Sequence, residues 1–268
     1  MAIRNRGKNV QKFNYHTHTK RCGHAHGEDR EYVKEAIRQG YTTLGFSDHA
    51  PYRDLPSPRI RMNWDQLDDY IASINELKKE YEGIIDIRVG LETEFYPEYL
   101  DEKKELRDKV DYMILGQHFM KPTGEGTLFR TNSNDELLEY AERIIQGLDT
   151  GLYTYLCHPD LYILKQPEFN ETCERVAHMI CKKAEETNTP LEVNIHGVYR
   201  GRYDYGMGEQ YAYPNKTFWS IASQYNVRCL YGIDAHEIDQ ITDSLHIIDE
   251  VKKELKGLNL HFIRKPII

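Results

Sequence analysis

With 268 residues, 40% hydrophobic and 29% charged, the chain has an ordinary globular composition and the length of one large domain, 1–268. No stretch approaches the ~20 apolar residues of a membrane span, and Met1–Lys8 has charges but no apolar run, against a secretory leader. A balance of 35 basic to 43 acidic residues, formally −8, disfavours nucleic acid, and Cys22, Cys157, Cys173, Cys181 and Cys229 form no C-x-x-C, which fits a reducing cytoplasm.

Short β-branched and aromatic runs alternate with helical patterns along the chain. A first strand is expected near Phe13–Tyr15. The helix whose apolar face is Tyr32, Val33, Ala36 and Ile37 is closed by Gly40, and Tyr41–Phe46 follows as a strand. Trp64, Leu67, Tyr70, Ile71, Ile74 and Leu77 keep helical spacing before the strand Ile84–Leu91. A charged helix over Tyr99–Lys109 precedes Tyr112–Leu115. Ser133 and Glu136 form a capping box ahead of Leu137, Leu138, Ala141, Ile144 and Ile145. Strands are expected at Tyr153–Cys157, Leu191–Ile195 and Val227–Ile233, separated by helical patterns, with Leu260–Ile263 a weaker eighth after the helix around Ile247–Leu255. Such β-then-α repetition predicts a parallel sheet with helices outside it, and seven or eight units in one domain favour a barrel. Ala50–Asn63 and Phe119–Asn132 are the longest irregular stretches, a length often functional in compact domains.

The residues just beyond each strand are more telling. In order these segments are His16-Thr17-His18, Ser47-Asp48-His49, Glu92-Thr93-Glu94, Gly116-Gln117-His118, His158-Pro159-Asp160, Asn194-Ile195-His196 and Asp234-Ala235-His236. Barrel active sites are assembled at the C-terminal ends of strands, and every one of these strand ends carries an imidazole or a carboxylate. Neutral imidazole binds Zn, Fe and similar ions, and carboxylates can bridge two of them. An H-x-H at a strand end puts both rings on one side, because side chains alternate with period two. His178, His246 and His261 read as structural residues, and the cysteines as core, with Cys22 beside the site. His26 and His196 are open between both roles, and Glu94 between supporting a ligand and contacting substrate.

Taken in order, these motifs resemble the polymerase and histidinol phosphatase (PHP) superfamily over nearly the whole chain, from Asn14 to His236. The stretch Tyr15-His-Thr-His-Thr-Lys-Arg-Cys-Gly-His24-Ala-His-Gly27, with its Cys-x-His-Ala element, is similar more narrowly to PHP-type histidinol-phosphate phosphatases. The resemblance implies a distorted (β/α)7 barrel, TIM-like, with its active site at the C-terminal ends of the strands and two to three divalent ions (Zn, Fe or Mn). It implies His16, His18, Glu92 and Asp234 at a first metal, Glu92 bridging to a second held by His118 and His158, and His24, His49 and His236 at a third. None of the nine positions is missing, which counts against a degenerate, non-catalytic metal-bound module.

The expected chemistry is hydrolysis of a small phosphomonoester, L-histidinol phosphate on the family's showing, by a hydroxide bridging the metals. Asp234 would hold metal and take the nucleophile's proton. Asp160 or a protonated rim histidine would assist the leaving alcohol, and Asp48 would orient a ligand imidazole. Arg200, in the segment that also carries Asn194 and Arg202, is the leading candidate for the phosphate, followed by Arg130 and Arg61 in the long loops. Tyr52, Phe119 and Tyr199 are candidates to cover an imidazole. The alternative is a PHP-type nucleotide phosphatase or 3′–5′ exonuclease, disfavoured by the negative charge. No nucleic acid, membrane or obligate protein partner is expected.

Overall fold

The chain alternates short buried strands with amphipathic helices in the computed structural model, which describes residues 11–55 and 59–268. The charged Met1–Lys8 stretch lies outside the described residues, as do positions 56–58 of the first long loop. The strands are β1 (Phe13–Asn14), β2 (Thr43–His49), β3 (Asp86–Thr93), β4 (Tyr112–Leu115), β5 (Tyr155–Leu156), β6 (Leu191–Asn194), β7 (Arg202–Asp204), β8 (Glu209–Tyr211), β9 (Arg228–Gly232) and β10 (His261–Phe262). All but β7 and β8 form one sheet in the order β1-β2-β3-β4-β5-β6-β9-β10, parallel throughout. The helices are α1 (Asp29–Gln39), α2 (Leu67–Glu80), α3 (Leu100–Lys109), α4 (Asn134–Asp149), α5 (Glu171–Glu186), α6 (Lys216–Ala222) and α7 (Ile238–Glu254). Among the described residues no helix is long and apolar enough to cross a membrane.

Local chemistry sets the helix ends as expected. Gly40, at φ 82°, closes α1 by donating to Ala36 and Ile37 carbonyls. Ser133 Oγ accepts from Glu136 N at 3.3 Å, while the Glu136 carboxylate accepts from Ser133 N at 2.8 Å, capping α4.

The sheet curls into a distorted (β/α)7 barrel whose seam lies between β1 and β9. Low in the seam, side chains stand in for the main-chain ladder. Gln11 Nε2 donates to Tyr231 O (2.7 Å), its Oε1 accepts from Tyr231 N (2.9 Å), and Asn14 Oδ1 accepts from Ile233 N (3.0 Å). At the rim the backbones meet directly, with His18 N donating to Ala235 O (2.8 Å) and Ala235 N to His16 O (3.2 Å). The eighth expected unit does not join the barrel. β10 pairs with the outer edge of β9, Phe262 opposite Cys229, because β9 already faces β1 at its upper end.

Period-two alternation sends Phe13, Tyr15, Tyr112, Ile114, Tyr155 and Leu230 into the barrel, where they form one buried cluster with Ile263, Ile267 and Ile268 packed on it. The Tyr112 ring lies against β2 and β3, over Gly45 and Gly90. A side chain at Gly90 on β3 would collide with that ring, so glycine is required by this close approach. The Tyr112 hydroxyl donates to Tyr15 O at 2.6 Å. The expected single segment after β6 instead turns through a 3-10 helix into the β7–β8 hairpin, where Arg202 pairs with Tyr211.

Candidate metal centre

Strand register delivers the site. His49 lies opposite Glu92 across β2–β3, Glu92 opposite Ile114 across β3–β4, and Asn194 opposite Gly232 across β6–β9. β1 runs on into His16 and His18, both fully buried, with the Asn14 amide donating to His16 O (3.0 Å) and Thr17 Oγ1 (2.8 Å).

Glu92 is the hub. Its carboxylate lies 2.8 Å from His158 Nε2, 3.0 Å from His49 Nδ1, 3.5 Å from His16 and His18 Nε2, and 3.6 Å from His118 Nε2. Asp234 Oδ1 lies 3.0 Å from His18 Nε2, 3.4 Å from His16 Nε2 and 3.5 Å from His236 Nδ1. Further out, the Nε2 atoms of His24 and His236 face each other at 3.0 Å, and His49 completes that cluster. All nine expected ligands are thus brought together. A four-coordinate ion with bonds of ~2.0–2.1 Å keeps its ligands roughly 3.3–3.4 Å apart, matching these separations. His16 Nε2, His18 Nε2 and Glu92 Oε2 are buried at the centre without a hydrogen-bond partner among the described residues. Buried polar atoms are costly unless satisfied, so the donor set fits divalent metal. Cys157, expected only in the core, places Sγ 3.2 Å from Glu92 Oε1 and joins the cluster with His16 and His158.

The electrostatics of the cluster favour the same chemistry. Burial opposes charge on Glu92, yet His49, His118 and His16 hold it well below the usual carboxylate range. Asp234 is likewise held down against burial by His16 and His18. Burial also opposes charge on His18, but the adjacent carboxylates of Asp234 and Asp48 outweigh it and raise its pKa to about 9. His24 is pushed to about 4 by burial and by His49 and His18. The centre therefore combines anions and neutral imidazoles with three imidazoles, His16, His18 and His158, that neighbouring carboxylates raise against burial and whose protons a cation would displace.

Two ligands sit on strained backbone: His158 at φ 30° and Asp234 at φ 55° lie in the left-handed region that β-carbon sterics disfavour. Such strain, about 1–3 kcal/mol each, is held by surrounding structure and collects at functional sites. Asp48 stands beside a candidate ligand: its Oδ1 lies 3.4 Å from His18 Nδ1 and accepts from His49 N (2.8 Å), and Thr19 donates to its other oxygen. Asn194, expected among the substrate contacts, reaches Asp234 Oδ2 with its amide at 3.2 Å. Sequence reasoning missed Glu192, fully buried on β6, whose Oε1 lies 2.9 Å from His16 Nδ1. The available sign was a carboxylate two positions before Asn194, on the same face of the strand.

A cavity of about 500 Å³ opens over the centre. Glu94, Arg61 and Arg200 line it, and so do His196, Tyr52 and Phe119. Glu94 Oε1 accepts from His118 N (3.1 Å) and Phe119 N (2.9 Å), and burial lifts its pKa to about 7. Arg61 Nη2 lies 3.6 Å from Glu94 and Nη1 donates to Pro122 O (2.6 Å), tying the two long loops together. Phe129 and Tyr213 line the cavity unforeseen, with the Phe129 ring stacked 6.2 Å from His118.

Four expectations are corrected. Asp160 does not line the cavity; its Oδ2 accepts from Asn215 N (2.7 Å) and Trp219 Nε1 (3.0 Å), fixing the start of α6. Arg202 points away, to Glu254 (3.1 Å) and the Glu209 carbonyl, because the hairpin carries it outward. Arg130 is half-exposed and taken up by Glu136 in the α4 cap, with Nη1 on Thr131 O (2.9 Å). Tyr199, 47% exposed, packs edge-on against His196 outside the cavity.

The chain is 36% identical over 140 residues to a Deinococcus radiodurans protein named "Probable histidinol-phosphatase", and 34% identical over 149 residues to the Bacillus subtilis histidinol-phosphatase. Each alignment spans about half of both partners, 52% of this chain and 52% of the relative. The Lactococcus lactis histidinol phosphate phosphatase, crystallised with zinc, L-histidinol and phosphate, shares the fold at a TM-score of 0.71 and 19% identity, over 94% of this chain and 95% of that one. Residues 14–196, which carry seven of the nine clustered ligands, match the PHP domain, and the chain belongs to that family.

Proposed function

We propose that this chain is a metal-dependent phosphomonoesterase that hydrolyses L-histidinol phosphate to L-histidinol and inorganic phosphate. The observation that carries the reading is the nine-residue cluster of imidazoles and carboxylates beneath a cavity that also presents Arg61 and Arg200. The names of the curated relatives and the ligands of the Lactococcus structure support the substrate.

His16, His18, Glu92 and Asp234 would hold one ion, Glu92 with His118 and His158 a second, and His24, His49 and His236 a third. Bound divalent ions lower the pKa of water and neutralise phosphate charge. Asp234, anionic and at the cavity wall, is placed to take the proton of the attacking water. Arg200 meets phosphate oxygens with its planar fork. Phe129, Tyr52 and Tyr213 offer flat apolar walls suited to an imidazole ring. Of the groups able to assist the leaving alcohol, Asp160 is turned away and His196 faces the cavity. The reaction requires no nucleic acid, membrane or protein partner, and a cytoplasmic setting suits it.

The test is phosphate release from L-histidinol phosphate against a panel of nucleoside monophosphates, on protein of measured metal content. A large preference for histidinol phosphate is expected. Preference for nucleotides would retain the metal chemistry and replace the substrate; inactivity toward every ester with metals loaded would overturn the reading.

A further inference from the structure

We infer that Glu192 is the positioning residue of the metal centre, fixing the ring orientation of His16 and the strained backbone of His158 with a single carboxylate. The inference rests on the metal-centre reading above and concerns a residue outside its ligand set.

Three groups converge on the Glu192 carboxylate. His16 Nδ1 stands 2.9 Å from Oε1 and 3.1 Å from Oε2. His158 N donates to Oε2 at 3.1 Å, and Asn194 Nδ2 donates to it at 2.9 Å. A carboxylate only accepts, so His16 Nδ1 carries the hydrogen and the lone pair of Nε2 is aimed at the gap between Glu92 and Asp234. An anionic partner on the far nitrogen also makes the imidazole a stronger ligand. The His158 contact is separate in kind, since it restrains a main-chain amide at φ 30°. Asn194 extends the network by placing the same amide 3.2 Å from Asp234 Oδ2. Ligands from three different strand ends thus depend on one side chain.

The fold makes room for it. Gly232 lies across from Asn194 on β9, and a β-carbon there would run into the Glu192 carboxylate. The three atoms that such a β-carbon would meet first all belong to Glu192, so the space beside Gly232 is taken by the support.

Glu192→Gln tests this because it keeps the shape and changes one atom from acceptor to donor. His158 N and Asn194 Nδ2 both need the oxygen, so the new amide must face His16 Nδ1. That makes Nδ1 an acceptor and moves the ring proton to Nε2, where it blocks the ligand position. Chelator-treated protein would be titrated with zinc(II) and manganese(II) against a competing chelator, with unfolding of the metal-free protein measured alongside. Glu192→Gln is expected to weaken binding 10–100-fold, to change the His16 tautomer seen by ¹⁵N NMR, and to leave the metal-free protein folded. Gly232→Ala, which displaces the carboxylate without removing it, should weaken binding as well, and should have no further effect on a Glu192→Ala background. Unchanged affinity in either folded single variant, with normal uptake by the unmodified protein, overturns the inference alone. Failure of the unmodified protein to bind either ion overturns the metal-centre reading and the inference with it.

Discussion

The rim and the floor of this barrel are built by the same strands and differ in almost everything else. At the floor, Phe13, Tyr15, Tyr112, Ile114 and Leu230 fill the interior with rings and aliphatic groups. One layer higher, the same inward alternation places His16, Glu92, His158, Glu192 and Asp234, all buried to 7% exposure or less. The floor needs no charge compensation, because its apolar groups gain by leaving water and the Tyr112 hydroxyl is paired with the Tyr15 carbonyl. The rim is stable only as a set: each carboxylate answers an imidazole, and removing one member leaves another buried and unanswered. Packing carries one layer and charge compensation carries the other.

His158→Ala should separate them most strongly. Removing a ligand that touches the hub carboxylate should lower turnover by at least about 100-fold, the upper end of the loss produced by outer supports of metal ligands, with a matching drop in bound metal. Phosphate release and metal analysis would check it; near-normal activity at full metal content would remove His158 from the centre.

Gly90→Ala strikes the floor instead. The new methyl meets the Tyr112 ring, and overpacking of this kind costs about 1–3 kcal/mol. Denaturant unfolding should show that loss while metal affinity holds; a comparable fall in affinity would mean that the two layers are not separable.

The last effect concerns a buried ammonium that belongs to neither layer. Lys103 on α3 is fully buried, its ammonium 3.8 Å from the Tyr52 ring centroid and without a hydrogen-bond partner among the described residues. Burial lowers its pKa from 10.5 to about 7. Between about pH 7 and 10.5 the unfolded chain therefore holds a proton that the folded one lacks, and stability rises with pH through that window. Lys103→Met should abolish the rise, which is at most about 1.4 kcal/mol per pH unit. Melting temperatures of both proteins at pH 7 and 9 measure it, and parallel shifts would show that Lys103 stays charged.

Local patterns made the rim legible before any coordinates. His16-x-His18 and Asp234-x-His236 are short, ordered and repeated at strand ends, so backbone alternation alone fixes where their rings go. Gly40 and the Ser133–Glu136 box likewise carry their own geometry. What escaped depends on paths through space. Arg130, Arg202 and Asp160 lie near the site in sequence, but a helix cap, a hairpin and the Trp219 indole claim their side chains. Glu192 escaped for the opposite reason: one carboxylate in a strand looks like ordinary alternation until the sheet shows that its face points inward. β10 was visible as a strand, but its place on the outer edge of β9 was not.

The seam between β1 and β9 has a consequence for folding. Its lower half is joined by the side chains of Gln11 and Asn14, and its upper half by the short main-chain contact of His18 with Ala235. Directly above, His16 and His18 come from one lip of the seam, and Asp234 and His236 from the other. A cation held between them would act as a clasp across two chain segments more than 200 residues apart, closing the cylinder as it completes the site. Metal uptake and barrel closure then become one event, and amide exchange at His18 and Ala235 should slow when the ion is bound.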